Sequence, residues 1–186
     1  MHSVFSGSYG TRTGEFRMPW GIARDSDGNI YVADWRNDRV QKFTAEGEFL
    51  FQFGNTGRED GQFLRPSGLA VDKDYDIYVS DWGNNRVQLF NPDGRYVEKF
   101  LGDATMSDPA IAAMRTRLRT VRIRDSAALE YERLFRGPRS VRVDEIGRMF
   151  VPDYESYRIQ VYQKHAIQLE ENEIGPELTA PTLSAN

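Results

Sequence analysis

Oppositely charged pairs recur three times along this chain at one spacing. An aspartate is followed five positions later by an arginine, and the pairs are Asp34 with Arg39, Asp81 with Arg86, and Asp153 with Arg158. Such a pair can close a hairpin through a charge-assisted hydrogen bond, or it can act as an anion-binding or catalytic group. Because the pair appears in every copy, we expect a structural role for all six residues.

An aromatic residue directly follows each of these aspartates, and these residues are Trp35, Trp82 and Tyr154. Exposed aromatic side chains in a ring can hold a peptide, a sugar or a base, but they can equally pack between neighbouring elements. Trp20 stands where the other copies have Ser67 and Arg139, so it is a candidate for a specific contact. The candidate ligand-binding residues of the repeats are therefore Trp20, Trp35, Trp82, Arg139 and Tyr154.

These residues belong to a longer repeat. Pro19, Pro66 and Pro138 are separated by 47 and then by 72 positions. The same two intervals relate three further columns, namely Asp25, Asp72 and Asp144; Asp34, Asp81 and Asp153; and Phe43, Phe90 and Tyr162. The chain therefore carries three copies of one unit, with an insertion of 25 residues between the second and the third.

Each copy has the pattern of several short strands. In the first copy, runs of β-branched and aromatic residues at 21–24, 30–34, 39–43 and 48–53 are separated by Gly, Asn and Asp. Four short antiparallel strands in 40–50 residues are typical of one propeller blade. We predict an all-β propeller with an outer strand and linker at 1–13 and blades at 14–54, 55–102 and 135–164.

The motifs of these copies resemble the NHL repeat. The first copy shows PWGIA at 19–23, DGNIYVAD at 27–34 and NDRVQKF at 37–43. The second copy matches at 66–71 and 77–90, and the third matches more loosely, with Ser156 where the family favours asparagine. The resemblance implies a β-propeller, usually six-bladed, that acts mostly as a binding scaffold.

Three blades cannot close a ring, because propellers need about four to eight. An open arc would leave an apolar flank exposed at each end. Either blades that precede this chain complete the ring, or two copies associate head to tail as a six-bladed homodimer. We favour the homodimer, in which residues 1–6 of one copy supply the outer strand of the partner's third blade.

The insertion at 103–134 has a helical pattern. Asp108 can cap a helix that has Pro109 in its first turn, and an apolar stripe follows at a spacing of three to four. Arg115, Arg119 and Arg122 line another face and are candidates for binding an acidic partner, a phosphate or single-stranded RNA. The alternative is a solvated face whose apolar side packs on the propeller or on a partner. Residues 165–186 are acidic and contain two prolines, which is typical of an extended or disordered tail.

Composition limits the functions. The 186 residues carry a net charge of -4, no cysteine and two histidines, at positions 2 and 165. A thiolate site or a histidine cluster is thereby excluded, we expect no metal or cofactor, and no signal peptide or membrane span is visible, so the pattern is that of a soluble protein. We predict a non-enzymatic scaffold that binds a protein or another polymer. The alternatives are a metal-dependent lactonase or lyase, if further blades or a partner supply ligands, and RNA binding through the insertion.

Overall fold

The computed structural model describes residues 7–102 and 134–164, and within them the chain is all-β. A short parallel pair opens the chain, with β1 at Ser8–Tyr9 and β2 at Glu15–Phe16. The first four-stranded sheet then comprises β3 (Pro19–Arg24), β4 (Ile30–Asp34), β5 (Arg39–Phe43) and β6 (Phe49–Phe53). We call this sheet blade one.

Two further sheets repeat this arrangement. Blade two comprises β7 (Pro66–Val71), β8 (Ile77–Asp81), β9 (Arg86–Phe90) and β10 (Tyr96–Phe100). Blade three comprises β11 (Arg142–Val143), β12 (Arg148–Asp153) and β13 (Arg158–Gln163). Strands that follow one another in the chain pair antiparallel within each blade. The predicted all-β fold is therefore confirmed, and so are the four-stranded antiparallel sheets of blades one and two, whereas blade three has three strands within the described residues.

Several predicted segments lie outside the described residues. They are the outer strand at 1–6, nearly all of the helical insertion with Arg115, Arg119 and Arg122, and the tail at 165–186. In the part of the chain that the structure describes, no helix has the length and apolarity needed to cross a membrane.

The blades stack face to face in chain order, and the alternation of side chains along each strand divides the core in two. Between blades one and two, Tyr31 and Val40 pack against Leu69 and Val79, together with Phe63 from the connecting segment. The opposite side of blade two carries the residues that pack against blade three, which are Ala70, Tyr78, Val87 and Leu89. Because successive residues of a strand point to opposite faces, one blade can serve both cores.

The inner strands approach so closely that only glycine fits at the contact. A Cβ on Gly21 would lie 2.6 Å from the carbonyl oxygen of Ser67, and a Cβ on Gly68 would lie 2.6 Å from the Cα of Ser140. Both obstacles are backbone atoms, which cannot rotate away. Contacts between β3 and β7 and between β7 and β11 therefore depend on the absence of a side chain at these two positions.

A buried aspartate organises each blade. In blade two, Asp81 is fully buried and accepts four hydrogen bonds, from Leu64 N at 2.7 Å, Asn84 Nδ2 at 2.8 Å, Arg86 Nε at 2.8 Å and Gln88 Nε2 at 3.2 Å. Burial raises the pKa of Asp81 above its ordinary value, although the hydrogen bonds from Leu64, Asn84 and Arg86 and the charge of Arg86 act in the opposite direction. All the donors are N–H groups, and so the carboxylate oxygens have the partners that an ionised aspartate needs.

The same arrangement recurs around Asp34 and Asp153. Asp34 accepts from Arg17 N, Asn37 Nδ2, Arg39 Nε and Gln41 Nε2. Asp153 accepts from Arg136 N, Arg158 Nε and Gln160 Nε2. The predicted pairing of aspartate with arginine across the turn between the second and third strands is thus present in all three blades. The distance from the arginine Nε to the aspartate Oδ2 is 2.8 to 3.0 Å.

Each arginine extends the network to the segment that leads into its blade. Arg86 donates to the carbonyl oxygens of Arg58, Glu59 and Gln62, and Arg39 donates to those of Thr11, Arg12 and Glu15. Backbone carbonyl groups of the entering segments thereby gain hydrogen-bond donors. The aspartate, its arginine and the preceding segment consequently form one unit.

We predict that Asp81→Ala destabilises the fold by about 3–5 kcal/mol, because it removes the buried counter-charge of the Arg86 guanidinium and leaves it the more distant, exposed carboxylate of Asp60 at 3.8 Å. The free energy of unfolding in urea, measured by circular dichroism, checks this. Asp93→Ala, at an exposed turn of the same blade, is the control and should change the stability by less than about 0.5 kcal/mol. Equal losses for the two variants would contradict the role of the buried aspartate.

We also predict that Gly68→Ala weakens the contact between blades two and three. The clash should cost about 1–3 kcal/mol, which exceeds the ~0.5 kcal/mol that alanine gains over glycine in a strand. Urea unfolding measures the net loss. Ser140→Ala at the equivalent position of blade three only removes a hydroxyl, and we expect it to be nearly neutral. A Gly68→Ala variant as stable as the parent chain would show that the blades can separate without cost.

Candidate binding face

The turns between the second and third strands lie beside the segments that link the blades. Trp35 N donates to Met18 O at 3.3 Å, Gly83 N donates to Leu64 O at 2.8 Å, and Glu155 N donates to Arg136 O at 2.9 Å. The turns at 35–38, 82–85 and 154–157 therefore share one side of the molecule with the residues that enter the inner strands. This side is named the upper face below.

Aromatic side chains form a continuous row across the upper face. The ring centroids of Trp20 and Trp35 are 5.4 Å apart, and those of Trp35 and Trp82 are 6.0 Å apart in a stacked arrangement at 24°. The guanidinium carbon of Arg139 lies 5.9 Å from the centre of the Trp82 ring and 3.8 Å from that of Tyr154. These separations are those of favourable aromatic and cation–π contacts.

Two further arginines stand over the central tryptophan. The guanidinium carbon of Arg65 lies 4.7 Å from the centre of the Trp35 ring, and that of Arg36 lies 5.8 Å from it. We name the aromatic–arginine band as the set Trp20, Trp35, Arg36, Arg65, Trp82, Arg139 and Tyr154. The band runs over all three blades and combines flat apolar surfaces with three fixed positive charges.

Local backbone features position these side chains. Trp20 sits where the register of β3 against β4 shifts, and such a bulge redirects a side chain. Arg65 has a φ of 61°, and its backbone N–H donates to Asp38 Oδ1 at 2.8 Å. In the next link, Gly137 N donates to Asn85 Oδ1 at 2.8 Å. The turns of blades one and two are thereby hydrogen-bonded to the start of the following blade. These hydrogen bonds fix the backbone positions from which the side chains of the band project.

The structure brings together five of the eight ligand-binding residues predicted from sequence. Trp20 and Tyr154 are more than half exposed, Trp35 and Trp82 are half-buried, and Arg139 is exposed. The other three, Arg115, Arg119 and Arg122, lie outside the described residues. Since the contact between Trp35 and Trp82 joins two blades, these two rings also pack between neighbours, which was the alternative interpretation.

Sequence reasoning missed two members of the band and three glutamines of the buried network. Arg36 and Arg65 were overlooked because their columns hold Gly83 and Met18, so that neither arginine repeats. Gln41 and its equivalents Gln88 and Gln160 do repeat at the intervals of 47 and 72, and that signal could have found them.

The side chains of the upper face are of types that bind ligands through stacking and hydrogen bonds. Planar rings can stack on a planar or apolar group, and guanidinium groups can donate in pairs to carboxylate or phosphate. Among residues 7–102 and 134–164, no three His, Asp or Glu side chains are grouped so as to hold a metal ion.

Comparison with known proteins gives the same family as the repeat motifs. The NHL repeat model matches residues 16–43 and 63–90. Protein brain tumor of Drosophila melanogaster is 46% identical over 48 residues, which are 26% of this chain and 5% of that protein. Protein lin-41 of Caenorhabditis elegans is 46% identical over 44 residues, or 24% of this chain and 4% of that protein. The chain thus spans only about a twentieth of these relatives.

Solved structures share the fold over most of the chain. Hydrazine synthase of Kuenenia stuttgartiensis matches 84% of this chain and 36% of its own, with a TM-score of 0.53 and 12% identity. A Bacteroides thetaiotaomicron protein matches 85% of this chain and 37% of its own, with a TM-score of 0.53 and 24% identity. Repeat motifs, stacked sheets and relatives agree that this chain carries NHL repeats, which the family model locates at residues 16–43 and 63–90.

Proposed function

We propose that this chain is part of a non-enzymatic binding scaffold whose upper face recognises an acidic segment of a protein. The aromatic–arginine band is the observation that carries the proposal. Its three tryptophans and one tyrosine offer stacking surfaces, and its arginines supply positive charge in a chain whose net charge is -4. Tryptophan, tyrosine and arginine are the residue types that dominate protein interfaces.

The charges of the band are available to a ligand. Arg139 is exposed, and its guanidinium carbon lies 3.8 Å from the centre of the Tyr154 ring, a contact that restricts the side chain without using its N–H groups. Arg65 is held over Trp35 in a similar way. An arginine that is already oriented loses less conformational entropy when it pairs with a carboxylate.

Two other functions stay open as weaker candidates. A lactonase- or lyase-like activity would need metal ligands from further blades or from a partner subunit. RNA binding would use the insertion, where residues 108–124 contain five arginines and one aspartate. A shift with single-stranded RNA that weakens with salt and disappears in a variant with Arg115, Arg119 and Arg122 changed to Ala would favour it.

We predict that binding of an acidic ligand changes the tryptophan fluorescence of the protein. All three tryptophans of the chain belong to the aromatic–arginine band, so the tryptophan emission reports on this face alone. Titration with a glutamate-rich peptide that contains tyrosine should protect the emission from acrylamide quenching, and added salt should weaken the effect. Binding that leaves the quenching unchanged would place the ligand elsewhere.

Substitutions on the upper face and on the opposite side test whether the peptide binds at the upper face. We predict that Trp20→Ala weakens binding of this peptide at least about tenfold, as expected for an exposed aromatic anchor. Fluorescence anisotropy of a labelled peptide measures the change. Arg95→Ala, in the turn between β9 and β10 on the opposite side, is the control and should stay within about twofold. A tenfold loss for both variants would indicate non-specific attraction.

A further inference from the structure

Both ends of the stack of blades expose positions that are buried in its middle. On blade one, Ile22 corresponds to Leu69 of blade two and to Val141 of blade three. Leu69 and Val141 are 2% and 1% exposed because the preceding blade covers them, whereas Ile22 is 64% exposed. Within the described residues, this surface of blades two and three is therefore covered by the preceding blade, whereas the same surface of blade one is exposed.

The uncovered flank of blade one already has the shape of an interface. An open groove of 460 Å³ is lined by apolar residues that include Phe16, Met18, Ile22 and Val32. One repeat later, Phe63, Leu69 and Val79 occupy the positions of Phe16, Ile22 and Val32 and lie in the core between blades one and two.

The opposite flank of the arc is uncovered in the same manner. Ile159 of blade three corresponds to Val40 and Val87, which are both 0% exposed, yet Ile159 itself is 67% exposed. Val161, which corresponds to the buried Leu89, is 47% exposed. Blade three thus presents the side that blades one and two each use to hold their successor.

We propose that a second copy of this chain covers both flanks, with blade three of each copy packed against blade one of the other. Ile159 and Val161 then occupy the role that Val87 and Leu89 play inside the chain, and the partner's Phe16 and Ile22 take the role of Phe135 and Val141. This assembly does not depend on which ligand the upper face binds.

Ring size selects two copies. Head-to-tail contact between copies of the 186-residue chain adds three blades per copy, and propellers close with about four to eight blades, so these copies by themselves close a ring at six blades. In this ring the two contacts are identical and related by a two-fold axis. The partner's Met18 then lies beside Tyr154, as Arg65 lies beside Trp35.

The contact between copies differs from the contacts inside the chain at the inner strand. Ser140 replaces the glycine of Gly21 and Gly68, and Arg142 replaces Ala23 and Ala70. Because a Cβ at that glycine position would meet backbone, the inner strands of two copies lie further apart than those within one copy. The apolar contact is consequently carried by Ile159 and Val161.

Sedimentation equilibrium of the 186-residue chain tests the proposal. We expect a mass twice the 21.4 kDa of one chain. Ile22→Asp and Ile159→Asp, at opposite ends of the arc, should each give a mass of one chain with unchanged circular dichroism. Val97→Asp introduces the same charge at a 53% exposed apolar residue of the middle blade, and it should leave the dimer intact.

Mixing the two end variants tests the head-to-tail direction. An Ile22→Asp chain and an Ile159→Asp chain can form one contact between unaltered flanks, so an equimolar mixture should contain dimers although each variant alone does not. A folded parent chain with the mass of one chain would overturn the proposal and would assign the flanks to further blades of a longer polypeptide. Larger open assemblies, or an absence of dimers in the mixture, would overturn it as well.

Discussion

The buried aspartate of each blade is the interaction on which the rest of the structure depends. Asp34, Asp81 and Asp153 lie at the end of the second strand of their blades, and each collects donors from the third strand and from the incoming segment. Asp34 and Asp81 also accept a hydrogen bond from an asparagine of their own turn. A carboxylate removed from water must be paired and hydrogen-bonded, so the surrounding donors are required together and not singly. The aspartate carboxylate therefore links the turn, the paired second and third strands, and the segment that leads into the blade.

Stacking of the blades follows from this local unit. The segment that leads into each blade is hydrogen-bonded to the aspartate of that blade, which positions the inner strand that follows. The inner strands of neighbouring blades then approach closely at Gly21 and Gly68. Two apolar cores then form on opposite sides of blade two, because side chains alternate along its strands. Repeats that contact only their neighbours bury a continuous core in this way, and a terminal repeat has a neighbour on one side only.

The upper face combines features that repeat with features that do not. The aromatic column arises from the repeat, since Trp35, Trp82 and Tyr154 follow the buried aspartates. Trp20, Arg65 and Arg139 occur once each in their columns, and these individual residues turn a repeated scaffold into a particular surface. The proposed binding specificity depends on such residues more than on the fold, which is shared with a protein of only 12% identity.

The amino-acid sequence by itself determined the repeat, the strand pattern and the pairing of Asp34 with Arg39, because those depend on spacing within one blade. It also indicated Trp20 and Arg139 as unusual members of their columns. Only the tertiary structure decided that Arg65 covers Trp35 and that Trp35 stacks on Trp82, since these contacts join different blades and leave no regular spacing in the chain. The exposure of Ile22 and Ile159 was decided in the same way, because identical positions are buried or open according to whether a neighbouring blade is present.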